Sequence, residues 1–90
     1  MIHNSTIQSF LLEQLPLQEV HISGNSNHLQ IIAIGEIFFG LSRVKQQQII
    51  YSSVASYITE NHIHAVSIKV YTPEEWNRAR KLHADTSMSY

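Results

Sequence analysis

One stretch near the C-terminus, residues 62–76 with the sequence HIHAVSIKVYTPEEW, constrains the fold more than any other part of the chain. Its first half has apolar residues at every second position, which is the period of a strand with one buried face. These alternating residues are Val66, Ile68 and Val70. Thr72, Pro73 and Glu75 then have the pattern of a capping box with proline at the first helical position. The stretch therefore predicts a core strand that runs directly into a helix beginning at Pro73.

Two histidines, His62 and His64, lie at the entrance to this strand. Their spacing of two places them on the same side of an extended chain, opposite Ile63. We expect both imidazoles to face solvent or a partner molecule rather than the core. A His-x-His pair without further ligands nearby is a weak metal signal, so spacing alone favours two surface histidines over a metal site.

The first third of the chain predicts a helix and a hairpin. Residues 5–15 carry apolar side chains at helical spacing. The segments 20–23 and 29–34 predict two antiparallel strands, because the dense turn signal GNSN at 24–27 separates them. His28 lies where this turn meets the second strand, a position that by itself is typical of a surface residue.

The middle of the chain predicts a turn followed by a long helix. Gly35 and Gly40 enclose a turn whose two phenylalanine rings we expect to be partly buried. Ser42 then has the type and position of an N-cap for a helix that ends at Asn61. Residues 85–90 are polar and lack periodicity, so we expect a flexible tail there.

The order helix, strand, strand, helix, strand, helix predicts an α+β domain with a three-stranded mixed sheet. The helices are expected to cover one face, with the long middle helix either continuous or split. A helical crossover joins the second and third strands, so the third strand is expected to lie parallel to one strand of the hairpin.

Composition excludes several classes of protein. The net charge is −1, which is unlike a basic nucleic-acid-binding protein, and there is no cysteine, so any thiolate ligand must come from another molecule. We see no secretory signal, membrane span or catalytic constellation, and expect a cytoplasmic protein that is not an enzyme and does not contact a membrane. Protonation of all six histidines would move the net charge from −1 to +5, which predicts a surface that responds to mild acidification.

Three segments resemble the BolA family, and most closely its short bacterial IbaG branch. They are IHAVSIKVYTPEEW at 63–76, FFGLSRVKQQ at 38–47 and HLQIIAIG at 28–35. The similarity reaches about Leu82, so residues 1–84 are identified as a BolA-like domain. It implies a fold similar to a class II KH domain. It also implies that the protein is cytoplasmic and is a partner of a monothiol glutaredoxin and its glutathione. The two proteins would share a [2Fe-2S] cluster and act in iron homeostasis and acid stress.

The resemblance also implies a ligand. The histidine of the family's Ile-His-Ala motif is matched by His64, which would bind the cluster. In many members a second ligand, histidine or cysteine, comes from the loop between the first two strands. The loop here is short and has no cysteine, which leaves His28, at its far end, as the second candidate and His62 as the alternative. Histidine can replace cysteine on one iron of such a cluster, and the partner would supply the missing thiolates. Pairing of the chain with itself as a homodimer stays open.

The competing hypothesis is a DNA-binding transcriptional regulator. Residues 38–57 can be interpreted as a helix-turn-helix-like element with Arg43 and Lys45 near the start of its helix. The chain has few basic residues, so affinity from phosphate contacts would be modest and salt-sensitive, and no GXXG loop of the KH type is present. The basic residues available for DNA are Arg43, Lys45, Lys69, Arg78, Arg80 and Lys81.

Overall fold

The computed structural model describes the backbone of residues 3–88 and the side chains of residues 3–80. Its elements, in chain order, are α1 (Asn4–Gln14), β1 (Glu19–Gly24), β2 (Leu29–Ile34), a 3₁₀ turn (Glu36–Phe38), α2 (Arg43–Glu60), β3 (Val66–Tyr71) and α3 (Pro73–Met88). The predicted order of helices and strands is confirmed. In the predicted tail, 85–90, the backbone of residues 85–88 continues α3, while residues 89–90 and all side chains of this segment lie outside the described part of the chain. The flexibility of the tail stays a prediction.

The three strands form one mixed sheet in the order β1-β2-β3. β1 and β2 pair as an antiparallel hairpin, in which Val20 lies opposite Ala33. β3 returns parallel to β2, with Leu29 opposite Val66 and Ala33 opposite Val70. The mixed sheet and the parallel third strand are therefore confirmed. Among the helices of the described chain, none is long and apolar enough to cross a bilayer.

The main core lies between one face of the sheet and the helices α1 and α2. Every second strand residue points to this side, and each buried aliphatic side chain contributes about 1.5–3 kcal/mol. Side chains with no exposed surface in this cluster are Ile7, Leu11, Ile31, Ala33, Phe38 and Ile50.

Helix α3 begins on the opposite face of the sheet. The ring of Trp76 lies 5.4 Å from the ring of His21 and 5.4 Å from that of Tyr71. Both partners point away from α1 and α2, because their neighbours Val20 and Val70 belong to the main core. The α+β class is confirmed, but the expectation that the helices share one face holds for α1 and α2 only. The reason is that Tyr71, the last strand residue, already points to the second face, where α3 begins immediately after it.

The corner between β3 and α3 is the capping box that the sequence predicts. The main-chain N–H of Thr72 donates to Glu75 Oε1 (2.9 Å), and the N–H of Glu75 donates to Thr72 Oγ1 (3.3 Å). The first of these bonds is the main cause that holds the pKa of Glu75 below its ordinary value of 4.5. The predicted staple between Tyr71 and Trp76 is also confirmed.

The segment before α2 differs in part from expectation. Phe38 is completely buried, whereas Phe39 is 80% exposed, so the prediction of two partly buried rings is wrong. The 3₁₀ turn ends at Phe38 and directs that ring into the core, and the next residue then points outward. Ser42 caps α2 as predicted, because its Oγ accepts from Lys45 N at 3.2 Å. The helix is continuous over 18 residues, so the alternative of a split helix is wrong.

Candidate histidine site

The C-terminal end of α2 sets the position of the candidate ligands. The N–H of Ile63 donates to Ile58 O (3.1 Å) and that of His62 donates to Thr59 O (3.4 Å). These two bonds define a Schellman motif, in which the residue after the C-cap takes a left-handed conformation. Here that residue is His62, with φ of 52°, and the C-cap is Asn61 as predicted. The motif reverses the chain and inserts Ile63, which is only 8% exposed, into the core.

His64 emerges from this reversal as an exposed residue at the end of the sheet. Its main-chain N–H donates to Ser26 O (2.8 Å) in the β1-β2 turn. The next residue, Ala65, accepts from Leu29 N (2.9 Å), and the strand proper begins at Val66. The backbone of His64 is therefore fixed on both sides, while its ring is open to solvent.

The predicted exposure of His64 is correct, but regular alternation does not explain it. Extending the two-residue period of β3 backwards would put His64 on the side of Val66 and Ile68, which pack against the main core. The chain is not a strand at 63–65, however, and Ile63 fills the core position instead. The Schellman motif, rather than the strand, therefore turns His64 outward.

His28 lies at the same end of the sheet as His64. The parallel register pairs Leu29 with Val66, so the residue before β2 is next to the residue before β3. The Nε2 atom of His28 is 2.7 Å from Ser67 Oγ, and the ring is exposed. This hydrogen bond fixes the ring orientation and leaves Nδ1 as the other nitrogen, which is available for a ligand bond.

The three candidate histidines are brought to one end of the molecule, and a fourth joins them. His3 lines a cleft of about 400 Å³ together with Ser26 and Asn61. His62 directly follows Asn61 in the chain. Sequence reasoning missed His3 and the Ser67 hydroxyl, since both approach this end only through the pairing of distant segments. The parallel pairing of β2 with β3 would have been the signal for Ser67.

The donor set at this end is incomplete for a metal centre. In the part of the chain that the structure describes, no three His, Asp or Glu side chains come together closely enough to hold a metal ion. Exposed imidazoles can replace thiolates on one iron of a [2Fe-2S] cluster, so the residues present fit a shared cluster in which a second molecule supplies the other ligands.

The basic residues with described side chains belong to three elements, α2, β3 and α3. Arg43 and Lys69 line the same cleft beside β3. Arg78 lies 4.0 Å from Glu74 on α3, and Arg80 donates to Asn77 on the same helix. The remaining candidates are Lys45, whose side chain is exposed in the first turn of α2, and Lys81, whose side chain lies outside the described residues.

The predicted helix-turn-helix-like element at 38–57 is wrong. This segment contains the last residue of a single 3₁₀ turn and then one continuous helix. The Ser42 cap starts α2 only four residues after Phe38, which leaves no room for a first α-helix within the segment. DNA binding itself stays a prediction.

Comparison with protein families gives one matching model, described as BolA-like protein, over residues 12–75. Among curated proteins, the acid stress protein IbaG of Escherichia coli K12 is 57% identical over 82 residues, which cover 91% of this chain and 98% of that protein. The DNA-binding transcriptional regulator BolA of Vibrio cholerae is 29% identical over 65 residues, which cover 72% of this chain and 60% of that protein.

Solved structures agree with this fold. A BolA protein homologue from Coxiella burnetii superimposes with a TM-score of 0.73 over 86% of this chain and 99% of that chain, at 24% identity. At this level of identity the likeness concerns the fold alone. The resemblance to class II KH domains is a separate expectation that these comparisons leave untested.

Proposed function

The chain belongs to the BolA family, in its IbaG branch, and from this premise we propose that it shares a [2Fe-2S] cluster with a monothiol glutaredoxin through the imidazole of His64. The observation that carries the proposal is the position of His64, which is exposed at the end of the sheet while its main chain is held by Ser26 O. A fixed backbone with an open ring suits a ligand that must meet another protein's sulfur atoms.

The neighbouring residues would complete this chain's share of the site. His28 is the candidate second ligand through Nδ1, with Ser67 Oγ holding the opposite ring nitrogen. His62 is the alternative, since it is exposed and two residues from His64. The chain contains no cysteine, so the thiolates would come from the glutaredoxin and its glutathione. On this proposal the protein is a cytoplasmic adaptor in iron homeostasis and not an enzyme.

Acid stress is the proposed physiological setting. The relative from Escherichia coli bears the name acid stress protein. A histidine binds a metal only through an unprotonated nitrogen, so protons compete with ligation and acidification should weaken the shared cluster. The six histidines of this chain would add positive charge under the same conditions.

The test is the visible spectrum of the mixed complex. The protein is combined with a monothiol glutaredoxin, glutathione, ferrous iron and sulfide, and the absorption and circular dichroism spectra are compared with those of the glutaredoxin cluster alone. We expect a distinct spectrum with the parent protein and its loss with His64→Ala. An unchanged spectrum in that variant would rule out His64 as a ligand.

Three further variants make the test specific. His28→Ala and His62→Ala should separate the two candidates for the second ligand, because only the true ligand should alter the spectrum. His21→Ala serves as the matched control, since His21 is an exposed histidine that stacks on Trp76, away from the end of the sheet that carries His64. A change caused by His21→Ala would show that loss of any imidazole disturbs the complex.

DNA binding is the second candidate function. It is favoured by the name of the Vibrio cholerae relative and by the location of Arg43 and Lys69 in one cleft. A gel-shift assay at physiological salt with the parent protein, Arg43→Ala and Lys45→Ala tests it. We expect binding that weakens in the variants and falls steeply with salt if this function holds. Absence of binding by the parent protein would end it.

A further inference from the structure

The outer edge of β3 is an open strand edge. β3 is the terminal strand of the sheet in the described chain. The main-chain O of Ala65 accepts from Leu29 N, and that of Tyr71 accepts from Gly35 N, so the odd-numbered residues of this segment bond to β2. In a parallel pair the intervening residues direct both main-chain groups to the other side. The residues whose main-chain N–H and C=O groups face outward are Val66, Ile68 and Val70.

The two edges of the sheet are protected to different degrees. On β1, two side chains of α1 cover outward carbonyls: Gln8 Nε2 donates to Val20 O (2.7 Å) and Asn4 Nδ2 donates to Gly24 O (3.4 Å). On β3, the only side-chain hydrogen bond to the outward groups within residues 3–80 runs from Gln47 Nε2 to Ile68 O (3.3 Å). An edge with unpaired main-chain groups is a template for another strand, and β3 is the less protected of the two edges.

A groove follows this edge along its whole length. Two adjoining clefts of about 360 and 210 Å³ lie between β3 and α2, and Gln47 and Ile68 line both. The lining of the first cleft is more apolar than polar, and its wall includes Val44, which is 66% exposed, and Tyr51, which is 49% exposed. Exposed apolar side chains next to an open edge provide contacts for every second residue of an added strand.

The charged side chains along the groove indicate which kind of partner fits it. Arg43 and Lys69 line the second cleft, and no Asp or Glu lines either cleft in the described part of the chain. Antiparallel pairing of β3 with the β3 of a second copy would bring two sets of these cations together, which disfavours self-pairing. An extended segment that carries carboxylates is complementary to the groove.

We propose that the outer edge of β3, together with the groove beside α2, binds an extended acidic peptide segment of a partner protein by strand addition. The added strand bonds to the outward main-chain groups of β3, and Gln47 releases Ile68 O to make room for it. Apolar residues of the peptide contact Val44 and Tyr51, and its carboxylates approach Lys69. None of the candidate cluster ligands lines the groove, so this interaction is separate from cluster sharing.

The probe is a fluorescein-labelled peptide of alternating glutamate and valine, and the control peptide alternates lysine and valine. Fluorescence anisotropy with the full chain should show binding of the acidic peptide at least about tenfold tighter than that of the basic one. Amide exchange measured by NMR should slow at Val66, Ile68 and Val70 when the acidic peptide is added. Equal affinities, or no change in exchange at these amides, would overturn the proposal.

Variants locate the binding surface. Val66→Pro removes one outward N–H at the first position of an edge strand, where proline is tolerated. Val44→Asp places a negative charge in the groove, which repels the acidic peptide. Each should weaken binding about tenfold or more, and Lys69→Glu should weaken it about three- to tenfold. Leu12→Asp is the matched control, because Leu12 is an apolar residue on α1 that is 43% exposed. We expect it to leave the affinity unchanged, and circular dichroism verifies that each variant is folded.

Two further results would overturn the proposal in favour of another occupant. A single-stranded oligonucleotide that binds more tightly than the peptide and displaces it would make the groove a nucleic-acid site. Sedimentation of a dimer that Val66→Pro dissociates and the peptide does not would make the edge an interface between copies of this chain. Unaltered peptide binding by Val44→Asp would show that the peptide binds elsewhere.

Discussion

Replacing His62 by glycine should stabilise the protein. His62 has φ of 52° and is the only non-glycine residue with positive φ in the described chain. The Schellman motif at the end of α2 requires this conformation, because the main-chain N–H groups of His62 and Ile63 bond back to α2. His62→Gly leaves both main-chain bonds in place and removes the steric cost of the side chain.

The size of the effect follows from two opposing contributions. A left-handed conformation costs a residue with a Cβ about 1 kcal/mol at the low end of the range. The low end applies to histidine, because histidine occurs in this conformation more often than most residues do. The glycine variant keeps only part of this gain, because glycine gives the unfolded chain more conformational freedom, which costs about 0.5 kcal/mol on folding. The expected net stabilisation is about 0.5 kcal/mol, which raises Tm by about 2–4 °C in a domain of this size.

Urea and thermal unfolding followed by circular dichroism would measure this change. His62→Ala is the matched control, because it removes the imidazole but keeps the Cβ, so it should show no gain in Tm. A glycine variant less stable than the parent would refute the reasoning and would mean that the imidazole makes a stabilising contact. The same variants, mixed with the glutaredoxin, test the ligand role of His62 independently of its conformational role.

Two other predictions concern the core and the capping box. Phe38→Ala should destabilise the fold by about 3–5 kcal/mol because the ring is fully buried, while Phe39→Ala, at an 80% exposed ring, should change the free energy of unfolding by less than about 0.5 kcal/mol. Similar losses in urea denaturation would contradict this contrast. Glu75→Gln keeps an oxygen for the bond from Thr72 N but removes the charge. The folded-state pKa of Glu75 is lowered, so its carboxylate contributes stability above its ordinary pKa of 4.5, and this contribution is lost as pH falls through the lowered value. Urea midpoints measured from about pH 6 to about pH 3 should fall more steeply for the parent than for the variant, and parallel curves would contradict the assignment.

The features that could be predicted from the sequence are those whose partners lie within a few residues of each other. The capping box joins Thr72 and Glu75 across one helical turn, and Asn61 ends α2 at its own C-cap. The hairpin follows from a dense turn signal between two apolar runs. In each case the residue types and the geometry are linked locally, so the pattern alone is sufficient.

The features that could not be predicted depend on distant segments. The stacking of Trp76 on His21 joins residues from the third helix and the first strand, and it shows that α3 begins on the second face of the sheet. The bond between His28 and Ser67 depends on the register of β2 against β3. The opposite environments of Phe38 and Phe39 depend on a 3₁₀ turn that two adjacent phenylalanines do not reveal.

The way in which His64 is held determines how its substitution can be interpreted. The contacts that fix this position are a main-chain bond to Ser26 O and the burial of Ile63, and neither needs the imidazole. Within residues 3–80, no hydrogen bond involves the His64 ring. His64→Ala should therefore leave Tm and the backbone NMR spectrum nearly unchanged, with a change in unfolding free energy below about 0.5 kcal/mol, as expected for a surface substitution. A loss of the mixed-cluster spectrum in a variant that is otherwise intact would then report the loss of a ligand. A large fall in Tm would instead mean that the ring supports the fold, and the spectrum could no longer be assigned to ligation.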